Sequence, residues 1–150
     1  MERHTCFFIG HRDVPDALYA PLAAAVERHI VEYGVRTFVV EHYGRFDALT
    51  ARAVRDAKTR HAGVTLLLLL PYHPSERSFE LLDGFDGTVY PDGMERVPRR
   101  AAIVQANRRM VAQSDFLIAY ALQAGSNAGK LAAYARAREK RGQIRVTMLR

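Results

Sequence analysis

Thr5-Cys6-Phe7-Phe8-Ile9-Gly10-His11-Arg12 is an apolar run that stops at a glycine and passes at once to two side chains able to carry positive charge. Continuous apolarity of this length, bounded by a turn residue, predicts a strand covered on both faces, as the strands of parallel sheets are. The segment that follows supports it. From Asp16 to Tyr33 the positions Leu18, Leu22, Ala25, Val26, His29, Ile30 and Tyr33 recur at helical spacing, and Gly34 ends the segment as a C-terminal cap does.

The cycle then repeats down the chain. Thr37-Phe38-Val39-Val40 predicts a second strand, Phe46 to His61 a helix with Ala48, Leu49, Ala53, Val54 and Ala57 on its buried stripe, and Thr65 to Leu70 a third strand stopped by Pro71. Residues 71–97 break the rhythm with Pro, Gly and Asp. They predict one helical turn near Phe79–Leu82 and an extended Thr88-Val89-Tyr90, and an irregular excursion of that length in a compact domain is usually functional or mobile. Pro98 suits the first turn of a third helix, with Ala102, Ile103, Ala106, Met110 and Val111 on its apolar stripe and an end near Gln113. Phe116 to Tyr120 is the fourth strand, Asn127 to Arg141 a helix closed by Gly142, and Ile144 to Leu149 the fifth strand. Strand and helix in alternation imply right-handed crossovers. The expected fold is an α/β, Rossmann-like three-layer α/β/α sandwich on a mainly parallel sheet of about five strands, one domain over residues 1–150.

Composition agrees. The 150 residues are 49% hydrophobic and 25% charged, which excludes disorder, collagen and coiled coil, and a chain this long buries roughly 70% of its unfolded surface without a disulfide or metal staple. The single cysteine, Cys6, cannot pair internally and fits a reducing compartment. With an apolar run too short for a signal peptide and nothing near the roughly 20 apolar residues of a membrane span, a cytoplasmic protein with no membrane contact is expected. The net charge of +6 conceals a split: residues 1–95 carry 10 basic and 14 acidic side chains, whereas residues 96–150 carry 12 basic ones against Asp115 and Glu139 alone. A basic final third reads either as a site for an anionic partner or as solvated helix faces.

Ligands of open parallel sheets bind outside the carboxyl ends of the strands, so four loops are candidates. The first holds Gly10-His11-Arg12, a turn or a ligand contact. The second, Glu41-His42-Tyr43-Gly44-Arg45-Phe46-Asp47, opens a helix whose first amides suit a phosphate; Asp47 caps that helix or accepts from a ligand, and the two roles are compatible. The third, Pro71-Tyr72-His73-Pro74-Ser75-Glu76-Arg77, offers a ring for stacking and a base-capable His73, or is plain surface. The fourth, Gln123-Ala124-Gly125-Ser126-Asn127-Ala128-Gly129-Lys130, combines exposed amides, a helix dipole and a lysine, the chemistry of a phosphate cradle. It is not a Walker A loop, since Gly125 and Gly129 are too close and Leu131 follows Lys130, and no G-x-G-x-x-G follows the first strand.

Taken together, Cys6 to Arg12, Gly44-Arg45-Phe46-Asp47 with Ala51, Leu70-Pro71-Tyr72, Asn107-Arg108-Arg109-Met110 with Ser114 to Tyr120, and Gly125-Ser126 resemble the SLOG superfamily, and within it the YpsA-like (DUF1273-related) proteins, from about residue 5 to 148. The Gly-His-Arg strand end and the Asn-Arg-x-Met helix ahead of Ser-Asp are its specific parts. The resemblance implies a Rossmannoid domain that binds a nucleotide or nucleotide-derived ligand, with contacts from Gly10, His11, Arg12, Gly44, Asp47, Pro71, Tyr72, Asn107, Arg108, Gly125 and Ser126, and it makes a homodimer an expectation. Two departures stand out. The second loop is less glycine-rich than in many relatives, and the Pro-Gly-Gly-x-Gly-Thr-x-x-Glu motif of the cytokinin-activating branch is absent, with Lys130 at its threonine and Ala133 at its glutamate.

Three functions follow. The first is binding or sensing of a nucleotide-like or phosphate-containing small molecule, with His11 and Arg12 on phosphate, Asp47 on ribose or base, Tyr72 stacking, and the Gly125–Lys130 turn on a second phosphate. The second is N-glycosidic hydrolysis or transfer, for which Glu41, Asp47 and Glu76 are the carboxylates at hand and His11 and His73 the bases, though no pair has a spacing that marks it as catalytic. The third is single-stranded nucleic-acid binding, since the superfamily includes a DNA-processing protein, but after Tyr90 only Phe116, Tyr120 and Tyr134 are available to stack on bases. No cofactor is called for, and scattered histidines and carboxylates give no metal motif.

Overall fold

The computed structural model describes residues 5–75, 81 and 83–150. The strands are β1 (Thr5–Gly10), β2 (Thr37–Val40), β3 (Thr65–Leu69), β4 (Gly87–Val89), β5 (Phe116–Tyr120) and β6 (Arg145–Met148). The helices are α1 (Tyr19–Tyr33), α2 (Arg45–Lys58), α3 (Ala102–Gln113) and α4 (Asn127–Glu139). All strand pairings are parallel, in the order β4-β3-β2-β1-β5-β6. Because successive side chains of a strand point to opposite faces, each apolar run serves two layers. Cys6, Phe8, Phe38, Val40, Phe116 and Ile118 pack with α1 and α2, while Phe7, Ile9, Val39, Leu117 and Ala119 pack with α3 and α4. The result is the Rossmann-like three-layer sandwich.

The chain lays β2, β3 and β4 successively to one side of β1, then returns to place β5 and β6 on the other. The direction of winding therefore reverses between β1 and β5, which are paired from Cys6↔Phe116 to Gly10↔Tyr120. A crevice at the carboxyl end of such a reversal is where open α/β sheets bind ligands.

The sheet has six strands rather than five. The added strand, β4, is a three-residue edge element containing Gly87 and the exposed Thr88, too short and too polar to stand out as an apolar run. Its entry is fixed by Asp86, whose amide donates to the Leu66 carbonyl at 2.8 Å while its carboxylate accepts from the Leu66 amide at 2.8 Å and from Lys58 Nζ at 2.6 Å. Several boundaries also shift. Asp16–Leu18 forms a 3-10 turn ahead of α1, and Pro98 precedes another, Arg99–Ala101, instead of standing in the first turn of α3. Helix α2 starts at Arg45 and ends at Lys58, and α4 stops at Glu139, two residues short of Arg141. Gly34, at φ 71°, closes α1 as expected, with the Val35 amide returning to the His29 carbonyl.

Two apolar assignments were too generous. Ala48 is exposed because the buried arc of α2 runs through Phe46, Leu49, Thr50, Ala53, Val54 and Ala57, and Ala48 lies off it. Ile103 is exposed because Ala102, Ala106 and Met110 hold the buried side of α3. Glu76 and, apart from Leu81, the helical turn expected near Phe79–Leu82 lie outside the described residues.

Candidate functional site

The loops after β1 and β2 are locked to each other. The Arg45 amide donates to the Arg12 carbonyl at 2.7 Å, and a Cβ at Gly44 would fall 2.7–2.9 Å from Arg12, so only glycine permits this approach. Asp47, in the first turn of α2, reaches back to accept from the Tyr43 amide at 2.9 Å. Capping is thus one of its roles, exercised on the loop ahead of the helix.

The loop after β5 is folded back as tightly. A Cβ at Gly129 would lie 2.1 Å from the Gln123 carbonyl oxygen, which fixes how closely α4 starts over that turn. Ser126 caps α4: its hydroxyl donates to the Gln123 carbonyl at 2.6 Å and accepts from the Gly129 amide at 3.0 Å. The amides of Asn127 and Ala128, in the first turn, have no intrahelical acceptor and present the positive end of the helix dipole.

Between these loops lies a cavity of about 270 Å³, bounded by the end of β1, the Glu41–Asp47 loop, α3 and the start of α4. Gly10, His11, Arg12, Asp47, Asn107 and Ser126 line it, and so do Glu41, Tyr43, Ile103 and Asn127. Its lining combines two chemistries. One is that of the first-turn amides of α4, at Asn127 and Ala128, donors suited to an anion. The other is that of Glu41, Asp47 and Asn107. Burial, reinforced by the negative charge of Asp47, pushes the Glu41 carboxyl up to about 8, against the opposing pull of a hydrogen bond from Asn107. Asp47 is also raised by burial, an effect opposed by the amides of Tyr43 and Gly44 and by the charges of His42 and Arg12. With its carboxyl near 8, Glu41 is largely protonated at pH 7.

His11 spans the winding reversal. Its Nε2 accepts from the Leu122 amide at 2.7 Å, so the ring is the neutral tautomer with its proton on Nδ1, and it stands edge-on to Tyr120. In this position it is a brace between the loops after β1 and β5, not a cation facing a phosphate. Two hollows adjoin the cavity. One, of about 370 Å³, shares His11 and Arg12 with it and extends to Tyr120 and Gln123; the other, of about 280 Å³, shares Glu41 and Asp47 and extends over Gly44, Ala51 and Phe85.

The remaining sequence candidates stand elsewhere. Pro71 and Tyr72 line a separate hollow of about 280 Å³ with Tyr90, Val97 and Arg99, where the Arg99 guanidinium lies 5.5 Å from the Tyr72 ring centre. Arg108 is on the exposed side of α3, its guanidinium 4.1 Å from the ring centre of Tyr134 on α4. Gly125 and Lys130 are exposed and line none of these hollows. His73 sits on the exposed loop after β3, accepting from the Ser75 amide at 3.0 Å. Sequence reasoning weighed Glu41 only as a spare carboxylate, and did not single out Tyr43 or Asn127. The signal for Glu41 was its position, the first residue after an apolar strand of a parallel sheet.

Among the described residues no group of three or more His, Cys, Asp or Glu side chains could hold a metal ion, and no helix is long and apolar enough to cross a membrane. No protein-family model and no curated protein matches the chain. A solved structure does. DNA processing protein A from Helicobacter pylori, described for its single-stranded DNA binding mode, matches at a TM-score of 0.51 over 97% of this chain and 75% of its own, with 14% sequence identity. At that identity the likeness is one of fold.

Proposed function

We propose that the chain binds a nucleotide or nucleotide-derived small molecule in the cavity at the carboxyl ends of β1 and β2, with its phosphate against Arg12 and the Asn127 and Ala128 amides, which Ser126 positions as the cap of α4, and its polar remainder against Glu41, Asp47 and Asn107. The observation that carries the reading is the pairing, within one cavity, of first-turn helix amides that have no intrahelical acceptor and a half-buried carboxyl pair. A phosphate satisfies the first and the hydrogen-bonding groups of a sugar or base the second. Membership of the SLOG superfamily and its YpsA-like branch belongs to the same proposal, resting on Gly10-His11-Arg12 and Asn107-Arg108-Arg109-Met110 together with the fold likeness. Tyr72 and Lys130, both off the cavity, are left out of the ligand contacts.

Thermal-shift and calorimetric titration with nucleoside mono-, di- and cyclic phosphates, NAD and ADP-ribose tests it. At least one should stabilise the protein, and Arg12→Ala should weaken that ligand about tenfold or more, the loss expected for a charge-assisted phosphate contact. No stabilisation of folded, ligand-free protein by any of them sinks the proposal. Chromatography of the same incubations reads any N-glycosidic cleavage by the Glu41–Asp47 pair.

Single-stranded DNA is the second reading, favoured by the fold likeness and the basic final third. Against it, Phe116 and Tyr120 are buried in β5 and the Tyr134 ring is flanked by Arg108 and Arg138, so little aromatic surface is open to bases. Anisotropy titrations with an oligo-dT strand at low salt decide it: binding that falls steeply as salt rises supports DNA, and none at low salt removes it.

A further inference from the structure

The hollow of about 280 Å³ that adjoins the cavity on the side of α2 has a lining of another kind. Ala48, Ala51 and Arg55 supply its α2 wall and Phe85 another, with the exposed His42 beside them, while Glu41 and Asp47 line both spaces. Alanine at 48 and 51 leaves open the space that larger side chains of α2 would fill. The Phe85 ring is half-buried, packed against the core under α1 and α2 and open to the hollow. The turn that carries it is pinned to α2 and β3: Lys58 Nζ donates to the Gly84 carbonyl at 2.9 Å and to the Asp86 carboxylate at 2.6 Å, and the Asp86 amide donates to the Leu66 carbonyl at 2.8 Å. An aromatic side chain held in this way needs little ordering to receive a ligand, which lowers the entropy cost of binding there.

We infer that this hollow is the base subsite: a nucleobase packs against the Phe85 ring and the alanine methyls of α2, while the sugar and phosphate of the same molecule occupy the cavity. The inference rests on the nucleotide reading and deepens it, since it makes an aromatic base, and not a sugar phosphate alone, what the site requires. Size supports it. The cavity, at about 270 Å³, lies below the usual range for ligand pockets, and the adjoining hollow brings the joined space inside that range. Chemistry supports it too. An aromatic ring, two methyls and the stem of Arg55 offer apolar contact, which a flat base satisfies with its faces, whereas a sugar placed there would set its hydroxyls against groups that cannot pair with them. Glu41 and Asp47, common to both spaces, stand where the sugar joins the base. Every base has a π-face, so contact with Phe85 favours bases over no base without selecting purine or pyrimidine.

The test uses the absence of tryptophan from the chain. In Phe85→Trp the indole is the single tryptophan and keeps an aromatic ring in place, so its fluorescence reports directly on the hollow. AMP and UMP should quench it saturably, and ribose 5-phosphate, which carries no base, should not. Isothermal titration of Phe85→Ala should show both nucleotides weakened about tenfold, the loss expected for one base–aromatic contact, while ribose 5-phosphate, measured by competition, stays within about twofold of wild type. Nucleotides that bind without quenching Trp at position 85, or that bind Phe85→Ala as tightly as wild type, overturn the inference and leave the nucleotide reading standing. Equal weakening of ribose 5-phosphate in Phe85→Ala takes the effect off the base and overturns the assignment. No binding of any of the three to the folded wild-type protein overturns both readings. If Phe85→Ala does not fold, the fluorescence of Phe85→Trp decides alone.

Discussion

Burial beside Asp47 moves the Glu41 carboxyl from an ordinary 4.5 to about 8. A carboxyl that is harder to ionise in the folded chain than in the unfolded one binds more protons folded, so its contribution to stability is full below about 4.5 and is lost as the pH rises through about 8. Asp47, raised in the same direction, adds to the slope. Glu41→Gln keeps the shape and the uncharged state but cannot ionise. Thermal melts from pH 5 to pH 9 should therefore show the variant near wild type at pH 5 and more stable at pH 9, by about 2–4 kcal/mol if most of the shift is realised. Parallel curves across that range would mean that Glu41 titrates normally. The strand-end position of Glu41 was legible in the sequence, but its protonation was not. That depends first on how deeply the loop is buried and then on the charge of Asp47, against the opposing pull of Asn107, 66 residues away in number, and the burial is something no local pattern encodes.

Elements were read well where a layer gave them a period. Strand β5 and the starts of β1, β2 and β3 were read at the first residue, because each is an apolar run between turn residues. Strand β4 was legible only as the extended Thr88-Val89-Tyr90, one residue late and not counted in the sheet, because Val89 is its one apolar side chain and hydrogen bonds fix its entry. Its anchor is Asp86, whose carboxylate stands in for a backbone acceptor opposite the Leu66 amide and is held below its usual pKa first by that bond and then by Lys58. Asp86→Ala should detach the start of β4, lowering stability by about 1–2 kcal/mol, the low end of the range for a hydrogen bond to a charged group because the Asp86 side chain is partly exposed. Amide exchange at Leu66 and along Gly87–Val89 should accelerate while β1 and β5 stay protected, and Asp86→Asn, which retains an acceptor, should recover part of the loss. Unchanged exchange at Leu66 would show that the β3–β4 ladder stands without the side chain. The gap between Lys58 and Asp86 in the chain explains why the contact was invisible in the sequence.

At the scale of the whole molecule, the two cores are separate in space but not in the chain. Phe38 belongs to the core under α1 and α2, where its ring stacks on Phe8 at 5.9 Å, and Leu117 belongs to the core under α3 and α4. Both are fully buried, and the strands that carry them alternate between the two faces, so neither layer can loosen without moving β1, β2 and β5. One cooperative unit follows. Phe38→Ala should cost about 3–5 kcal/mol and Leu117→Ala about 2–5 kcal/mol, each moving a single urea transition to lower midpoint with its slope unchanged. Cys6 supplies an independent readout, because it is the only cysteine, lies in central β1 and is 0% exposed, with burial holding its thiol well above the usual pKa. Its reaction with a thiol reagent should track global unfolding in the wild type and in both variants. A biphasic transition in either variant, or thiol labelling that outruns the spectroscopic signal, would show that one helical layer opens on its own. The site at the β1–β5 reversal would then sit on the edge of a separately mobile half, and the placement of α3 and the start of α4 against the loops after β1 and β2 would lose its rigidity.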